Sequence, residues 1–191
     1  MPLVNTKKMF EDAYKGKYAV GAFNVDILTQ CQAALEAAEE CNSPIILSFS
    51  AGSREFFHPG NIKEILEIAA KDIHIPWAIH LDHGKSFEVC KSCIDEGFTS
   101  VMIDASAYDF EDNVRITKSV VEYAHAHGAT VEGELGPCSK RDDPRFKKFT
   151  DYVLETATDE QVEYLLDVLA DACEYAAEHY KKMAIIKKTK N

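Results

Sequence analysis

Ionisable and polar side chains follow five short apolar runs of the sequence, at the point where each run ends. The residues are Asn24, Ser50, Asp82 with His83, Asp104, and Glu132 with Glu134. Short apolar runs predict strands, and the carboxyl ends of parallel strands meet at one edge of a sheet, where enzymes build their sites. A neutral histidine is a common metal ligand, and a neighbouring carboxylate can act as general acid or base on a substrate held by that metal. The pattern therefore predicts a metal-assisted proton-transfer site at this edge.

Two of these motifs are the most informative. The run His80-Leu-Asp-His-Gly84 joins a candidate ligand to a candidate acid or base, although a histidine and an aspartate could also simply cap the next helix. Glu132 and Glu134 point to one face of a strand because alternate residues do so, and carboxylates buried there need a metal, a proton or a basic partner. A solvated edge strand is the alternative. Asp104 is a third acid at the same level, either beside a metal ligand or at a second metal position.

The elements that must position these residues alternate regularly along the first part of the chain. Strand-then-helix units of roughly 25 to 30 residues imply parallel strands joined by right-handed crossovers. We expect strands over 18–25, 45–49, 77–81, 100–103 and 130–135, and helices over 6–15, 26–41, 60–71, 86–96 and 110–127.

The alternation stops after Gly136. Residues 137–144 form a polar link, and residues 144–157 and 159–184 read as helices. An eightfold barrel typically takes roughly 250 residues, so the expected fold class is α/β: a half TIM-barrel-like array of about five parallel strands over 1–136. The helical segment 137–191 is expected to pack on the open sheet, giving one compact domain. Closure by a second copy, as a homodimer, is the alternative.

Composition limits the function classes. The net charge of −11 argues against nucleic-acid binding, which needs clustered Lys and Arg, and no apolar run approaches the roughly 20 residues of a membrane helix. The first residues lack a secretory signal pattern, so a cytoplasmic protein with reduced thiols is expected. Cys90 and Cys93 lie within a helical pattern and are expected to pack in the core.

Several segments of residues 1–136 together resemble the N-terminal half of class II fructose-bisphosphate aldolases, with tagatose-bisphosphate aldolases as a sibling group. They are Lys17–Asn24, Glu36–Pro44, Ser50-Ala-Gly, His80-Leu-Asp-His-Gly, Ser92-Cys-Ile-Asp, Gly97–Asp104, Val121–His127 and Val131–Gly136. The sequence after Gly136 does not show the same likeness.

The resemblance implies a zinc-dependent (β/α)8 enzyme that reversibly cleaves fructose 1,6-bisphosphate into dihydroxyacetone phosphate and glyceraldehyde 3-phosphate. Zinc polarises the ketone carbonyl in that chemistry and takes the place of a Schiff-base lysine. The implied roles are a zinc ligand for His83, a metal-site carboxylate for Glu134, the hydroxyl acid/base for Asp82, substrate contacts for Asn24 and Ser50, and a place near the metal for Asp104.

The later half of such enzymes should supply two further zinc-ligand histidines and the loops that cradle phosphate, and neither is evident after Gly136. A catalytic zinc normally needs three protein ligands. We therefore expect aldol cleavage of a small phosphorylated sugar to be weak or lost. Other readings are a site completed by His179 or by a second chain, an engineered or recombined non-catalytic scaffold, and a binding or regulatory module.

Overall fold

One five-stranded parallel sheet organises residues 3–134, the part of the chain that this computed structural model describes. The strands stand in sequence order, each beside the next, which is the arrangement that repeated right-handed strand–helix crossovers produce. Their bounds are β1 Gly21–Asn24, β2 Ile45–Phe49, β3 Trp77–Gly84, β4 Ser100–Ile103 and β5 Thr130–Gly133. The α/β class and the five parallel strands are confirmed. The helices expected within 137–191, and their packing on the sheet, lie outside the described residues.

Residues 3–134 contain six helices, of which α1 precedes β1 and the other five connect successive strands. They are α1 Thr6–Gly16, α2 Leu28–Glu40, α3 Ala51–Phe56, α4 Ile62–Ala69, α5 Phe87–Asp95 and α6 Phe110–Ala126. Several begin at a side chain that caps the first turn: the Ser86 hydroxyl accepts from the Val89 N–H, and the Asp109 carboxylate accepts from the Asp112 N–H. In the part of the chain that is described, no helix is both long and apolar enough to cross a membrane.

The two faces of the sheet differ in polarity. The face toward the helices carries the main core, which includes Leu47, Trp77, Ile79 and Val101, and Cys90 and Cys93 are buried there as predicted. The other face carries a row of residues in direct register across all the strands. This row is Asn24, Ser48, His80, Ser100 and Thr130. A polar row on a buried sheet face departs from simple hydrophobic packing, so it marks the face that a ligand would approach.

Helix α1 covers the polar face near the amino-terminal ends of the strands, away from their carboxyl-terminal edge. Met9 packs with Ile46 and Ala78 in a small separate core. The Thr6 hydroxyl lies 2.7 Å from the Thr130 hydroxyl, so α1 also reaches β5 at the far edge of the sheet. Helix α1 therefore covers the amino-terminal end, or base, of the sheet, and the candidate site lies at the carboxyl-terminal edge.

Helix α3 is held in place by a nearly buried ion pair. Arg54 donates to both carboxylate oxygens of Glu96, and its Nη2 also donates to Ser92 Oγ at 2.6 Å. The side chains of Arg54 and Glu96 are only 13% and 17% exposed. The sequence did not predict α3, whose six residues include Gly52, because so short a helix leaves little periodicity to read.

Candidate active site

An irregularity in β3 brings its polar end to the edge of the sheet. Leu81 pairs with Val101 and Gly84 with Ile103, so three steps along β3 match two along β4. His83 adopts a left-handed conformation (φ 51°) at this bulge. A regular strand would direct Leu81 and His83 to the same helix-covered face, whereas the His83 side chain is 52% exposed. The bulge therefore turns His83 out of the core, beside Asp82.

Gly84 closes the bulge because only a hydrogen fits there. A Cβ at this position would lie 2.7 Å from the Met102 carbonyl oxygen and 2.8 Å from Cys90 Sγ. The close approach also lets the Gly84 carbonyl accept from the Asp104 N–H at 2.8 Å. The glycine thus fixes the ends of β3 and β4 relative to each other.

Asp104 orients the His83 ring. Its Oδ2 lies 3.0 Å from His83 Nδ1 and 2.6 Å from Lys85 Nζ. Its Oδ1 accepts from the Ser106 N–H at 3.2 Å and from the Ser106 hydroxyl at 2.7 Å. Burial alone would raise the pKa of Asp104, but the hydrogen bonds from Lys85, Ser106 and His83 hold that pKa well below its usual range. Because a carboxylate only accepts, the neutral form of the His83 ring places its proton on Nδ1 and leaves Nε2 as the free lone pair.

Asp82 stands between two other polar groups at the edge. Asn24 Nδ2 donates to Asp82 Oδ2 at 2.7 Å, and Asp82 Oδ1 lies 3.9 Å from His83 Nε2. Asn24, Asp82, His83 and Asp104 therefore lie side by side as a polar chain across β1, β3 and β4. Hydrogen bonds join Asn24 to Asp82 and His83 to Asp104, and no hydrogen bond joins Asp82 to His83. The hydrogen bond from Asn24 holds one carboxylate oxygen and leaves the other toward His83.

Ser50 lies at the same edge but in a different set of contacts. It follows Phe49, whose register partner Leu81 precedes Asp82. Its hydroxyl caps α3 by accepting from the Ser53 N–H at 3.1 Å, and it lies 2.8 Å from the Ser53 hydroxyl. Ser53 in turn donates to Asp26 Oδ1. The sequence analysis did not single out Ser53 or Asp26, although the spacing of Ser50 and Ser53 is that of a helix cap.

A buried histidine lies deeper on the polar face. His80 Nδ1 is 2.8 Å from Ser100 Oγ, and Nε2 is 3.6 Å from Glu132 Oε2. Burial lowers the pKa of His80 to about 4, so the ring is neutral at pH 7. Burial, followed by the charges of Asp82 and Glu134, raises the pKa of Glu132. The acidic end of β5 therefore interacts electrostatically with the polar chain.

Glu134 directly follows β5 and is fixed through its main chain. Its N–H donates to the Ile103 carbonyl at 3.2 Å, and its carbonyl accepts from Asn113 Nδ2 at 2.8 Å. Asn113 is a buried residue of α6, so the helix that follows β4 sets where the Glu134 backbone lies. The Glu134 charge helps to raise the pKa of Glu132, two residues earlier in the sequence.

The fit of these residues to a metal ion is partial. A metal-bound histidine usually donates its other ring N–H to a carboxylate, and the pair formed by His83 and Asp104 has that form. Both Asp104 oxygens are already engaged by donors, which suits an orienting role better than direct ligation. Over residues 3–134, no group of three or more His, Cys, Asp and Glu side chains is arranged to hold a metal. Lys85, which the sequence analysis passed over, directly follows the His80–Gly84 motif.

Comparison with known proteins gives a consistent result. The family model described as fructose-bisphosphate aldolase class-II matches residues 4–186. The fructose-bisphosphate aldolase of Geobacillus stearothermophilus is 52% identical over 148 residues, which are 75% of this chain and 51% of that protein. The enzyme of Staphylococcus aureus (strain Mu50) is 51% identical over 146 residues, with the same coverage. The chain spans about half the length of the curated relatives it matches.

Solved structures agree with the sequence relatives. The YdjI aldolase from Escherichia coli K12 superposes with a TM-score of 0.63 at 34% identity, over 68% of this chain and 49% of that one. Fructose-bisphosphate aldolase from Campylobacter jejuni gives 0.60 at 25% identity, over 74% and 49%. The expected likeness of the N-terminal part is confirmed, and the match to the family model continues past Gly136 to residue 186.

Proposed function

Because the chain belongs to the class II fructose-bisphosphate aldolase family, we propose that its sheet edge supplies part of a metal-dependent aldol-cleavage site for a phosphorylated ketose such as fructose 1,6-bisphosphate. The observation that carries the proposal is the polar chain of Asn24, Asp82, His83 and Asp104, in which Asn24 holds Asp82 and Asp104 holds His83. It places Asp82, the candidate acid or base, beside His83, whose Nδ1 is held by Asp104 so that Nε2 is left for a ligand.

His83 is the proposed first ligand of a zinc ion, through Nε2. Asp104 holds the opposite ring nitrogen at 3.0 Å, so the ring would not have to change tautomer on binding. Glu134 is the proposed carboxylate ligand, since it lies just past β5 at the same edge. Zinc bound there would supply Lewis-acid polarisation of the ketone carbonyl.

Asp82 is the proposed acid/base for the substrate hydroxyl. Asn24 holds Asp82 Oδ2 at 2.7 Å, which leaves Oδ1 for the proton exchanged with the substrate. The same oxygen is 3.9 Å from His83 Nε2, so a hydroxyl that reaches Asp82 is also next to the proposed metal position. Asn24 thus positions the carboxylate, and Ser50 faces the same substrate from the end of β2.

A catalytic zinc normally takes three ligands from the protein, so a third ligand is needed besides His83 and Glu134. His179 of this chain and a residue of a second copy are the two proposed sources. A homodimer is therefore part of the proposal only in the second case.

The test is the zinc content and zinc affinity of the purified chain, measured by metal analysis and by titration against a competing chelator. His83→Ala and Glu134→Ala are compared with His125→Ala, which changes an exposed histidine in the last turn of α6. About one zinc per chain, lost in the first two variants and retained in the third, supports the proposal.

Cleavage of fructose 1,6-bisphosphate is then assayed in the zinc-loaded chain and in Asp82→Asn. A loss of at least about a hundredfold in Asp82→Asn with zinc retained supports the acid/base role. A folded chain that binds no zinc would instead identify an aldolase-derived scaffold without this chemistry.

A further inference from the structure

The first strand of the sheet leaves apolar side chains uncovered on its helix-facing side. Phe23 of β1 is in register with Leu47 of β2, yet Leu47 is fully buried and Phe23 is 53% exposed. Ile27 and Leu28, just beyond β1, are 43% and 38% exposed. Within residues 3–134, β1 is an edge strand that pairs only with β2, so the array supplies no helix on its outer side. We call Phe23, Ile27 and Leu28 the outer β1 surface.

Helix α2, which leads away from this surface, ends in negative charge. Glu36 and Glu40 are exposed near its C-terminus, and its last turn contains no basic residue. The helix dipole adds further negative charge at that end. The side of the array next to β1 is therefore apolar at the outer β1 surface and acidic at the end of α2.

The segment after residue 158 has the complementary pattern. The sequence predicts a helix over 159–184 with one apolar stripe, and from residue 181 onward it contains five lysines and no acidic residue. The stripe is Leu165, Leu166, Leu169, Ala172, Cys173, Ala176 and Tyr180, and the lysines are Lys181, Lys182, Lys187, Lys188 and Lys190. A helical stripe over 165–180 would be about 22 Å long, and α2, with 13 residues, is about 20 Å long. A stripe laid along α2 therefore brings the first lysines to the acidic end of α2.

The chain between β5 and this segment is long enough to cross the sheet. Glu134 directly follows β5, which lies four strand spacings from β1, or about 19 Å. A helix over 144–157, as the sequence predicts, would alone span about 21 Å. The linking residues therefore permit the segment to reach the outer β1 surface of its own chain.

We propose that residues 159–190 dock on the outer β1 surface, with the apolar stripe over Phe23 and the lysines against the acidic end of α2. The segment then runs in the same direction as α2, as neighbouring helices of a parallel strand–helix array do. The inference does not rest on the proposed function. It carries His179 to the amino-terminal edge of the sheet, away from His83, so a third metal ligand would come from a second copy.

Hydroxyl-radical footprinting of the full chain, read by mass spectrometry, tests this docking. Phe10 is the matched reference, because it is 52% exposed and belongs to α1, which covers the other face of the sheet. If nothing covers Phe23, the two rings should be oxidised at nearly equal rates. With the segment docked, Phe23 should be oxidised at least about fourfold more slowly than Phe10.

Two variants test whether the stripe is responsible. Leu169→Glu places a charge within the stripe and should return the oxidation rate of Phe23 to that of Phe10. Ala170→Glu introduces the same charge about 100° away around the predicted helix and should leave both rates unchanged. Circular dichroism confirms that each variant is folded.

Carbodiimide cross-linking tests the direction of the segment and carries the test if Leu169→Glu does not fold. This reagent joins a lysine to a carboxylate that it contacts, so cross-linked peptides should connect 181–190 with 36–40. Mixing ¹⁵N-labelled with unlabelled chain distinguishes links within one chain from links between two.

Three results would overturn the proposal. The first is equal oxidation of Phe23 and Phe10 in the folded wild type, and the second is slower oxidation of Phe10, which would place a cover on the other face. The third is a cross-link from 181–190 that joins labelled to unlabelled chains, which would assign the cover to a second copy.

Discussion

Removing the arginine of the ion pair between Arg54 and Glu96 should destabilise the edge of the sheet around α3, the helix that begins after Ser50 and contains Ser53. We consider Arg54→Met, which keeps the aliphatic length but removes the charge and all three donated hydrogen bonds. Glu96 then remains largely buried and retains only the Ser92 hydroxyl, 3.0 Å from Oε1, as a side-chain donor. The expected result is a loss of stability much greater than that of a surface ion pair.

The magnitude follows from burial. Breaking a fully buried pair by removing one partner costs about 3–5 kcal/mol. The two side chains here are 13% and 17% exposed, so water recovers part of that cost and we expect about 2–4 kcal/mol. With a urea slope of about 2 kcal/mol per M, a loss of about 3 kcal/mol lowers the unfolding midpoint by about 1.5 M.

Urea unfolding followed by circular dichroism measures this change. The control is Lys8→Met, which breaks the ion pair with Asp12. The side chains of that pair are 79% and 46% exposed, so the unfolding midpoint should stay nearly unchanged. Equal midpoint shifts for Arg54→Met and Lys8→Met would refute the reasoning, because burial would then make no difference.

The same ion pair predicts a pH dependence. Burial raises the pKa of Glu96, but the hydrogen bonds from Arg54 and Ser92 outweigh it and lower that pKa overall. A carboxyl whose pKa is lower in the folded state contributes stability above its unfolded pKa, about 4.3, and loses it as the pH falls through the folded value. The stability gap between wild type and Glu96→Gln should therefore be full at pH 6 and narrow below about pH 4. A gap that widens on acidification would contradict this sign.

Three further predictions follow from the site and the base of the sheet. Asp104→Ala should shift metal-free His83 from the Nδ1–H toward the Nε2–H tautomer in two-bond ¹H–¹⁵N spectra, because Asp104 accepts from Nδ1; an unchanged tautomer would remove its orienting role. Gly84→Ala should lower the free energy of unfolding by at least about 1–3 kcal/mol, because the new Cβ would lie 2.7 Å from a main-chain oxygen. Gly52→Ala on α3 is the control and should be neutral or stabilising by up to about 1 kcal/mol. Equal effects of the two substitutions would be inconsistent with the close approach at Gly84. Thr6→Val should cost about 1 kcal/mol, and a double-mutant cycle with Thr130→Val should show the two changes to be coupled; full additivity would mean that the hydroxyl contact contributes nothing.

The sheet could be predicted from the sequence because parallel strands buried on both faces leave a strong signal. The runs 45–49 and 100–103 match β2 and β4 residue for residue. The order of the strands followed from the repeated strand–helix units, and with it the edge at which the polar residues lie. The two edge strands were predicted too long, at 18–25 and 130–135. Their exposed residues leave no sharp change of polarity to mark where each strand begins and ends.

The side-chain contacts of the site could not be predicted in the same way. The strand at 77–81 was expected to end at Leu81, whereas β3 continues through a bulge to Gly84. The residue types alone do not predict where a strand contains an extra, unpaired residue. The hydrogen bonds from Lys85 to Asp104 and from Ser53 to Asp26 each join two segments that are distant in sequence. Such pairs depend on how neighbouring loops approach each other, which local periodicity does not encode. The catalytic and ligand roles assigned from the resemblance stay predictions.

The way α1 spans the base of the array has a consequence for the order in which the molecule forms. Thr6 and Asn5 contact residues more than 120 positions later in the chain, at Thr130 and Gly128. Contacts of such sequence separation carry a large loop-closure cost and form late. During synthesis α1 emerges first, yet it cannot reach its final position until β5 has been made. The packing of Met9 on Ile46 and Ala78 needs only β2 and β3, so α1 can dock on the first strands before its contacts with the far edge of the sheet are added.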